Sequence, residues 1–479
     1  MYSFTHTLGA PAVNFWDISH PENQVALIDA NTGTTMSYGD LRAAVSRSAQ
    51  DLPQLGRKSL GLLLATNSAS SVATYLAALQ RGAACILLDA ALDRTLLDHL
   101  IERYQPDWIA ATHDHRFAGY SPSTSSPHVF INQHPSPKQI FPELALLLST
   151  SGSTGNPKLV RLAQANLQAN AASICSYLSL TPAERPITTL PMAYSYGLSV
   201  VNSHLLAGSA IVLNDWGVLQ REFWQAVENF HCTSIAGVPY TYQMLLKTGL
   251  LASKGTALRT YTQAGGRLDE DSIEKVRRIA ESRGARFFVM YGQTEATARI
   301  SYVPPDALRD KIGSVGVAIP GGILSIDDET GELIYEGPNV MMGYAESIAD
   351  LARGDELHGK LRTGDLARQD RDGYYFITGR MRRFLKIFGK RFNLDDIEKA
   401  LTANFGCPVA CHGEDDLLKA AITSSDVALK QVREFLKTTY GLPESAMHVY
   451  VLESLPVTHN GKIDYQKLNL IQTAASACH

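Results

Sequence analysis

A run of small polar residues follows directly after an apolar segment. Leu144 to Leu148 is apolar and typical of a buried strand, and the chain then continues through Ser149 to Lys158. Glycine lets the backbone bend closely around a ligand, while backbone N–H groups and hydroxyls donate to phosphate oxygens. The spacing of a Walker loop does not fit these residues. We therefore predict a phosphate-binding loop of another kind, formed by Thr150, Ser151, Gly152, Ser153, Thr154, Gly155 and the cation of Lys158.

Further short motifs follow this loop along the chain. They are Ala264-Gly-Gly266, Tyr291-Gly-Gln-Thr-Glu295, Gly331-Glu-Leu-Ile334, Thr363-Gly-Asp365, Gly379-Arg380 and Asn460-Gly-Lys462. Together with the loop, this ordered set resembles the adenylate-forming superfamily, which includes acyl-CoA synthetases, peptide-synthetase adenylation domains and luciferases. The resemblance extends from about Met36 to Leu468. A single tripeptide would be weak evidence, whereas the whole set in family order is specific.

The resemblance implies a reaction with two halves. A carboxylate first attacks the α-phosphate of ATP in the presence of Mg²⁺, which gives an acyl-adenylate and pyrophosphate. A nucleophile then displaces AMP from the acyl carbon. No side chain has to form a covalent intermediate, so the protein must align two anions and stabilise the charge that develops at phosphorus.

The resemblance assigns catalytic roles to residues of the later motifs. Lys462 matches the family lysine that bridges the carboxylate and the α-phosphate. Lys386 matches a second lysine that serves the other half-reaction in some members. Glu295 resembles the family's metal ligand, a carboxylate that holds Mg²⁺ together with phosphate oxygens. Thr294 is expected to bond the α-phosphate.

A second group of motif residues is expected to bind the nucleotide. An aromatic ring at position 291 can stack on adenine, and the glycines let the backbone approach the base. A carboxylate at position 365 offers two oxygens to the ribose hydroxyls. The arginine at position 380 can reach the ribose or a phosphate. The residues of this group are Gly265, Gly266, Tyr291, Gly292, Asp365 and Arg380.

The segment from Leu190 to Leu198 is expected to select the acid. Relatives that activate amino acids carry an aspartate here, which pairs with the α-ammonium group, whereas this chain has Met192. A buried cation without a partner is costly, so we predict a carboxylic acid that has no α-amine. The predicted pocket is mostly apolar, although each of its residues could equally be core. Beside Met192 it contains Tyr194, Tyr196, Leu198, Val238, Pro239 and Met290.

The acceptor of the acyl group stays open at this point. The commonest acceptor in the family is a pantetheine thiol, on coenzyme A or on an acyl carrier protein. Some relatives instead join the acyl group to an amine, such as that of an amino acid. The motifs are common to both groups, so no residue of this sequence decides between the alternatives.

The length of 479 residues predicts at least two domains. Strand-like and helical patterns alternate through most of the chain, which predicts an α/β fold of mostly parallel sheets with packed helices. We place the large N-terminal domain at residues 1–380 and a small, mobile α+β domain at 384–479. Residues 381–383 are the predicted hinge, with Arg382 at the position where the family usually has Asp or Lys.

Composition restricts the partners and the compartment. Lys plus Arg is 43 and Asp plus Glu is 47, so the net charge of −4 gives no reason to expect a nucleic acid. No apolar run is long enough to predict a membrane span. The six cysteines are scattered along the chain, which is typical of reduced thiols. Together with the absence of a signal-peptide pattern, this predicts a cytoplasmic protein.

Overall fold

The computed structural model alternates strands with helices through most of the chain. It describes residues 13–111, 116–149, 158–381, 383–388, 390–414, 416–458 and 463–476. The strands are β1 (Val25–Asp29), β2 (Thr35–Ser37), β3 (Leu60–Ala65), β4 (Ala84–Asp89), β5 (Trp108–Ala110), β6 (Tyr120–Pro122), β7 (Val129–Asn132), β8 (Leu144–Ser149), β9 (Leu159–Ala163), β10 (Pro186–Ile187), β11 (Ile211–Leu213), β12 (Ser234–Gly237), β13 (Thr260–Gln263), β14 (Arg286–Tyr291), β15 (Ser301–Val303), β16 (Val317–Ala318), β17 (Ile323–Ile326), β18 (Glu332–Glu336), β19 (Gly343–Ala345), β20 (Lys360–Gln369), β21 (Tyr375–Arg380), β22 (Phe384–Ile387), β23 (Lys390–Asn393), β24 (Val409–Glu414), β25 (Leu417–Ile422) and β26 (Met447–Val451).

Helices connect and cover these strands. They are α1 (Tyr38–Asp51), α2 (Ala69–Gln80), α3 (Arg94–Tyr104), α4 (Gln164–Leu178), α5 (Ser195–Leu206), α6 (Arg221–Asn229), α7 (Pro239–Lys247), α8 (Leu250–Ser253), α9 (Glu270–Ser282), α10 (Leu394–Phe405), α11 (Leu429–Tyr440) and α12 (Tyr465–Ser476). Within the described ranges, no helix is long and apolar enough to cross a membrane.

Two large sheets form most of the first 380 residues. One has nine strands in the order β16-β15-β14-β13-β12-β10-β11-β1-β2, and the other has eight in the order β19-β9-β8-β4-β3-β5-β7-β6. Their central strands run parallel, and the antiparallel strands lie toward the edges. Strands β3, β4 and β8 are nearly continuous apolar runs, because a parallel strand between layers is buried on both faces. The predicted α/β architecture is confirmed.

Helices α1, α2, α4 and α5 fill the space between the two sheets and share one core cluster with them. Helix α3 covers the outer face of the eight-stranded sheet, and α6, α7 and α9 cover that of the nine-stranded sheet. A capping box forms at the start of α1. Ser37 Oγ accepts from the Asp40 amide at 3.1 Å, and Asp40 Oδ2 accepts from the Ser37 amide at 3.0 Å.

An antiparallel four-stranded sheet, β17-β18-β20-β21, is added to the parallel body and is not foreseen by the sequence analysis. Its Leu333 and Tyr335 share a core cluster with Tyr196 and Met290. Beyond β21, residues 385–449 form a separate core cluster from α10, α11 and the strands β22 and β24 to β26. This confirms the α+β character of the C-terminal part. The boundary at residues 381–383 stays a prediction.

Gly61 in β3 and Trp108 in β5 fit against each other as register partners. A Cβ atom on residue 61 would lie 1.9 Å from Trp108 Cζ2, and the indole is fully buried. A ring in a close-packed core has no free space to enter. We therefore expect Gly61→Ala to lower the free energy of unfolding by about 1–3 kcal/mol, measured by urea denaturation. Gly217→Ala is the control, because its Cβ would meet only Gln220 Oε1, at 4.0 Å. Equal stability of the two variants would contradict this packing.

Candidate active site

The predicted phosphate-binding loop connects two paired strands. Strand β8 ends at Ser149 and β9 begins at Leu159, and these two residues are antiparallel register partners. The loop residues Thr150, Ser151, Gly152, Ser153, Thr154 and Gly155 lie outside the described residues. Their predicted role therefore stays a prediction, while the two strand ends define where the loop leaves and re-enters the sheet.

Lys158 and Glu295 both contact the side chain of Tyr344. The Lys158 ammonium lies 2.5 Å from Glu346 Oε1 and 5.8 Å from the centroid of the Tyr344 ring. The Tyr344 hydroxyl donates to Glu295 Oε1 at 2.7 Å. The backbone carbonyl of Glu295 also accepts from the Met341 amide at 2.8 Å. A cation next to the loop and the predicted metal carboxylate are thus held in one cluster.

Arg161 positions the strand that carries Tyr344. Its guanidinium is fully buried and donates to the Tyr344 carbonyl at 3.1 Å and the Met342 carbonyl at 3.2 Å. It also pairs with Glu356 at 2.5 Å, which compensates its charge. Tyr344 and Arg161 belong to none of the recognised motifs. The only signal of Arg161 in the sequence is a charged residue within the otherwise apolar run of β9.

Tyr291, Asp365 and Arg380 form a second cluster at the end of β14. The Tyr291 hydroxyl donates to Asp365 Oδ2 at 2.5 Å, and Arg380 Nε donates to Asp365 Oδ1 at 3.0 Å. Asp365 and Arg380 are also register partners on β20 and β21. Burial raises the pKa of Asp365, against the opposing effects of Arg380 and Tyr291. The structure therefore brings together three residues that the sequence assigns to nucleotide binding.

The chain reverses sharply between β14 and β15. A Cβ atom on Gly292 would lie 1.8 Å from the Ala298 carbonyl oxygen, so only glycine fits at this position. Thr297 and Ala298 both have positive φ angles, of 57° and 122°, which completes the reversal. Thr294 lies inside this turn with its hydroxyl 3.2 Å from Ser195 Oγ. Through this contact the turn lies against the first residue of α5.

The predicted glycine pair and part of the predicted acid pocket lie together. A Cβ atom on Gly265, which has a φ of +85°, would lie 2.6 Å from the Tyr194 hydroxyl and 3.1 Å from Val238 Cγ1. On Gly266 it would lie 3.1 Å from Pro239 Cγ. The positive φ and the close tyrosine explain the need for glycine at position 265, whereas position 266 is only tightly packed.

The other predicted pocket residues separate into two groups. Tyr196, Val238 and Met290 belong to the buried cluster that reaches the four-stranded sheet, and Tyr194 packs against it. Met192 and Leu198 lie instead in the cluster between the two large sheets. The backbone amide of Met192 donates to Asn67 Oδ1 at 3.0 Å. Met192 is thus placed in the core beside α5, and its side chain is almost fully buried.

The C-terminal sites are only partly described. Lys386 lies in β22 as the register partner of Arg391, whereas Arg382 and Lys462 lie outside the described residues. Val457 and Ile463, on either side of the Lys462 motif, form an antiparallel bridge. The described part of the chain contains no group of three or more His, Cys, Asp or Glu side chains that could hold a metal ion.

A network around Arg383 anchors the segment next to the predicted hinge. Its guanidinium donates to Asp395, to Glu398 Oε1 at 2.6 Å and to the Cys411 carbonyl at 2.7 Å. The ring of Tyr465 lies 4.1 Å away, and its hydroxyl donates to Glu398 at 3.1 Å. Tyr465 follows the Lys462 motif closely in the chain. Arg383 therefore connects the segment next to the predicted hinge with a residue beside that motif.

Comparisons with known proteins show which family the chain belongs to. Residues 15–345 match the family model described as AMP-binding enzyme. The sulfoacetate–CoA ligase of Cupriavidus necator is 29% identical over 74% of this chain and 71% of that protein. The feruloyl-CoA synthase of an Amycolatopsis species is 27% identical over 90% of this chain and 93% of that protein.

A solved structure supports the fold. The o-succinylbenzoate CoA synthetase of Bacillus subtilis, in complex with its acyl-adenylate intermediate, superimposes with a TM-score of 0.75. The superposition covers 95% of this chain and 97% of that chain at 20% identity. This likeness concerns the architecture, whereas the family match, which covers more than half of the chain, concerns its descent. The chain belongs to the AMP-binding enzyme family, the adenylate-forming enzymes that its ordered motifs predict.

Proposed function

We propose that this protein is an AMP-forming acid–thiol ligase. It activates a carboxylic acid with ATP to an acyl-adenylate and then transfers the acyl group to the thiol of coenzyme A or of a carrier protein's phosphopantetheine. The observation that carries this proposal is the turn after β14. It connects Tyr291, bound to the buried Asp365, with Glu295, bound to Tyr344 beside Lys158.

The relatives favour a thiol acceptor over an amine. The curated relatives described above are a CoA ligase and a CoA synthase, acting on sulfoacetate and on ferulate. These two acids differ strongly in size and polarity, so the acid that this chain uses has to follow from its own pocket. The reaction draws on ATP and coenzyme A, and the described cysteines are unpaired. Both points support our proposal of a cytoplasmic location.

The cluster around Asp365 fits a ribose. Each carboxylate oxygen accepts one hydrogen bond in the structure, and a carboxylate offers about four lone-pair sites in total. Both oxygens therefore retain capacity for the two ribose hydroxyls. The bond to Asp365 fixes the ring of Tyr291 for stacking on adenine. The Arg380 side chain is 61% exposed, which leaves its terminal nitrogens accessible to a phosphate.

Glu295 fits a magnesium site of the kind that needs few protein ligands. Tyr344 occupies Oε1, and Oε2 has no hydrogen-bond partner among the residues that the structure describes. Mg²⁺ is often held by one or two carboxylates together with phosphate oxygens, and when bound it neutralises phosphate charge. Lys158 adds a second positive charge on the other side of Tyr344. Thr294 presents a hydroxyl between these groups and α5.

The two halves of the reaction are assigned to two lysines of the C-terminal part. Lys462 bridges the attacking carboxylate and the α-phosphate during adenylation, and the face that carries Lys386 serves the transfer. A rotation about Arg382 exchanges them, which is a known class of domain motion. The neighbouring Arg383 network supports this hinge, because it makes the segment after position 382 rigid.

A product analysis tests the whole proposal. The protein is incubated with ATP, Mg²⁺, a panel of aliphatic and aromatic acids, coenzyme A and amino acids, and the products are identified by mass spectrometry. An acyl-CoA product is the expected result. Acyl-AMP alone would indicate a carrier protein as the acceptor. An acyl-amino acid without any thioester would overturn the thiol assignment.

We expect Asp365→Asn to raise the KM for ATP about 10-fold to 100-fold, because charge-assisted hydrogen bonds to the ribose become neutral ones. Pyrophosphate release at varied ATP concentration measures this effect. Asp328→Asn, at an exposed position of the same sheet region, is the control and should leave the KM unchanged. An unchanged KM in the Asp365 variant would remove this residue from the nucleotide site.

We expect Lys462→Ala to lower acyl-adenylate formation by at least about 100-fold while it spares transfer from a supplied acyl-adenylate. The ammonium acts where charge develops at phosphorus, and only the first half-reaction has this charge. Pyrophosphate release and thioester formation measure the two halves separately. Lys437→Ala, on the exposed face of α11, is the control. If both halves fell together in the Lys462 variant, the division between the lysines would be wrong.

We expect common L-α-amino acids not to be adenylated. The two cavities beside α5 are lined by no acidic side chain, and one of them is lined by Arg299, so an α-ammonium group would find no partner. Amino-acid-dependent exchange of pyrophosphate into ATP checks this expectation. Robust exchange with any common amino acid would contradict it.

A further inference from the structure

Arg299 is a buried cation that the motifs do not explain. The residue is 3% exposed and lies in the apolar segment that follows the turn after β14. Its guanidinium carbon lies 4.0 Å from the centroid of the Tyr196 ring, and the group also contacts the hydroxyl of Tyr177. Its Nε has no hydrogen-bond partner in the part of the chain that the structure describes. Among the described residues, no carboxylate lies within ion-pairing distance of it.

Arg299 lines a cavity between α5 and the nine-stranded sheet, which we call the Arg299 cavity. Its other walls include Ser199, Val200 and His204 of α5 and Thr262 of β13. The volume is about 20 Å³, which is room for one or two water-sized groups. An oxygen atom of a carboxylate or of another small anionic group is of this size.

His204 shows that this cavity is polar and not merely a packing defect. The side chain is 4% exposed, and burial lowers its pKa to about 4, so the ring is neutral near pH 7. Nδ1 lies 2.8 Å from the Val200 carbonyl, which can only accept, so Nδ1 carries the proton. Nε2 is then an acceptor, and it has no partner in the described residues. Two residues that line this cavity, Arg299 and His204, thus each have one buried nitrogen without a hydrogen-bond partner among the described residues.

A second small cavity lies beside the Arg299 cavity, on the side of the catalytic turn. The walls of this second cavity include Ser195 and Thr297. The Ser195 hydroxyl is 3.2 Å from that of Thr294. An acid with its reacting carboxylate near Thr294 would reach Arg299 by extending along α5 past Ser199, which lines both cavities.

A buried cation without a counter-charge is expensive, and stacking on one tyrosine offsets only a small part of that cost. A guanidinium is planar and always charged, and it matches the two oxygens of a carboxylate in a bidentate pair. An anionic group on the substrate would supply the missing charge at the moment of binding. An acid whose remote end is uncharged would leave the guanidinium unpaired and would not gain this stabilisation.

We propose that the acid substrate carries a second anionic group, remote from the reacting carboxylate, which binds Arg299 in this cavity. The inference rests on the proposed ligase function and adds the class of acid. The Arg299 charge selects doubly anionic acids over acids of the same length with an uncharged end.

The first experiment compares matched pairs of acids with the wild-type protein. Each pair consists of a dicarboxylic acid and its monomethyl ester. The diacids have three to eight carbons, and one further pair is aromatic. Pyrophosphate release is measured in the presence of ATP and Mg²⁺. We expect the best dicarboxylate to exceed its ester at least about 10-fold in kcat/KM. Esters that match or exceed every diacid would overturn the inference and leave the ligase function intact. If none of the acids supports pyrophosphate release, both the inference and the ligase function would be overturned.

The second experiment alters the cation. We expect Arg299→Met to lower kcat/KM for the preferred diacid at least about 30-fold and to leave or raise that for its ester. Arg278→Met, on the exposed face of α9, is the matched control and should keep the wild-type ratio. An unchanged ratio in a folded Arg299→Met protein would overturn the inference.

A charge-retaining variant covers the case in which the methionine variant does not fold. Arg299→Lys keeps the cation but loses the bidentate geometry. We expect the diacid-to-ester ratio to fall several-fold while a preference for the diacid remains. A thermal unfolding curve with and without AMP establishes that each variant is folded. A lysine variant with the full wild-type ratio would contradict direct recognition by the guanidinium.

Discussion

The site depends on one steric constraint, the close approach of the Ala298 carbonyl to Gly292 in the turn after β14. Because the backbone folds back so tightly, successive side chains of a short segment point toward different parts of the molecule. Tyr291 reaches Asp365, Thr294 reaches Ser195 at the start of α5, and Glu295 reaches Tyr344. A looser turn would separate contacts that a two-anion reaction needs in fixed positions.

Charge compensation divides the buried ionic groups into two kinds. Arg161 pairs with Glu356, so its charge is compensated within the structure and it holds strands in place. Arg299 differs, because its ring partner supplies no negative charge. Satisfied charges serve the architecture, whereas a buried cation with unused capacity is suited to a ligand.

The C-terminal part has its own core and its own network of partly buried charges. Its own core cluster lets it fold around α10 and α11, and the Arg383 network ties the beginning of this part to Tyr465 near its end. The lysine roles, the hinge at position 382 and the phosphate loop stay predictions. A rigid unit next to a short connection is the mechanical requirement for presenting two different faces to one site.

The sequence by itself determined what local patterns encode. The apolar runs of β3, β4 and β8 specify buried parallel strands, Ser37 and Asp40 specify a helix start, and the ordered motifs specify the family. The sequence did not reveal the antiparallel sheet, the tie between Glu295 and Tyr344, or the cavity at Arg299. Those features join segments that are far apart in the chain. Only the tertiary structure decided them, because whether a buried charge has a partner depends on which distant strands and helices pack around it.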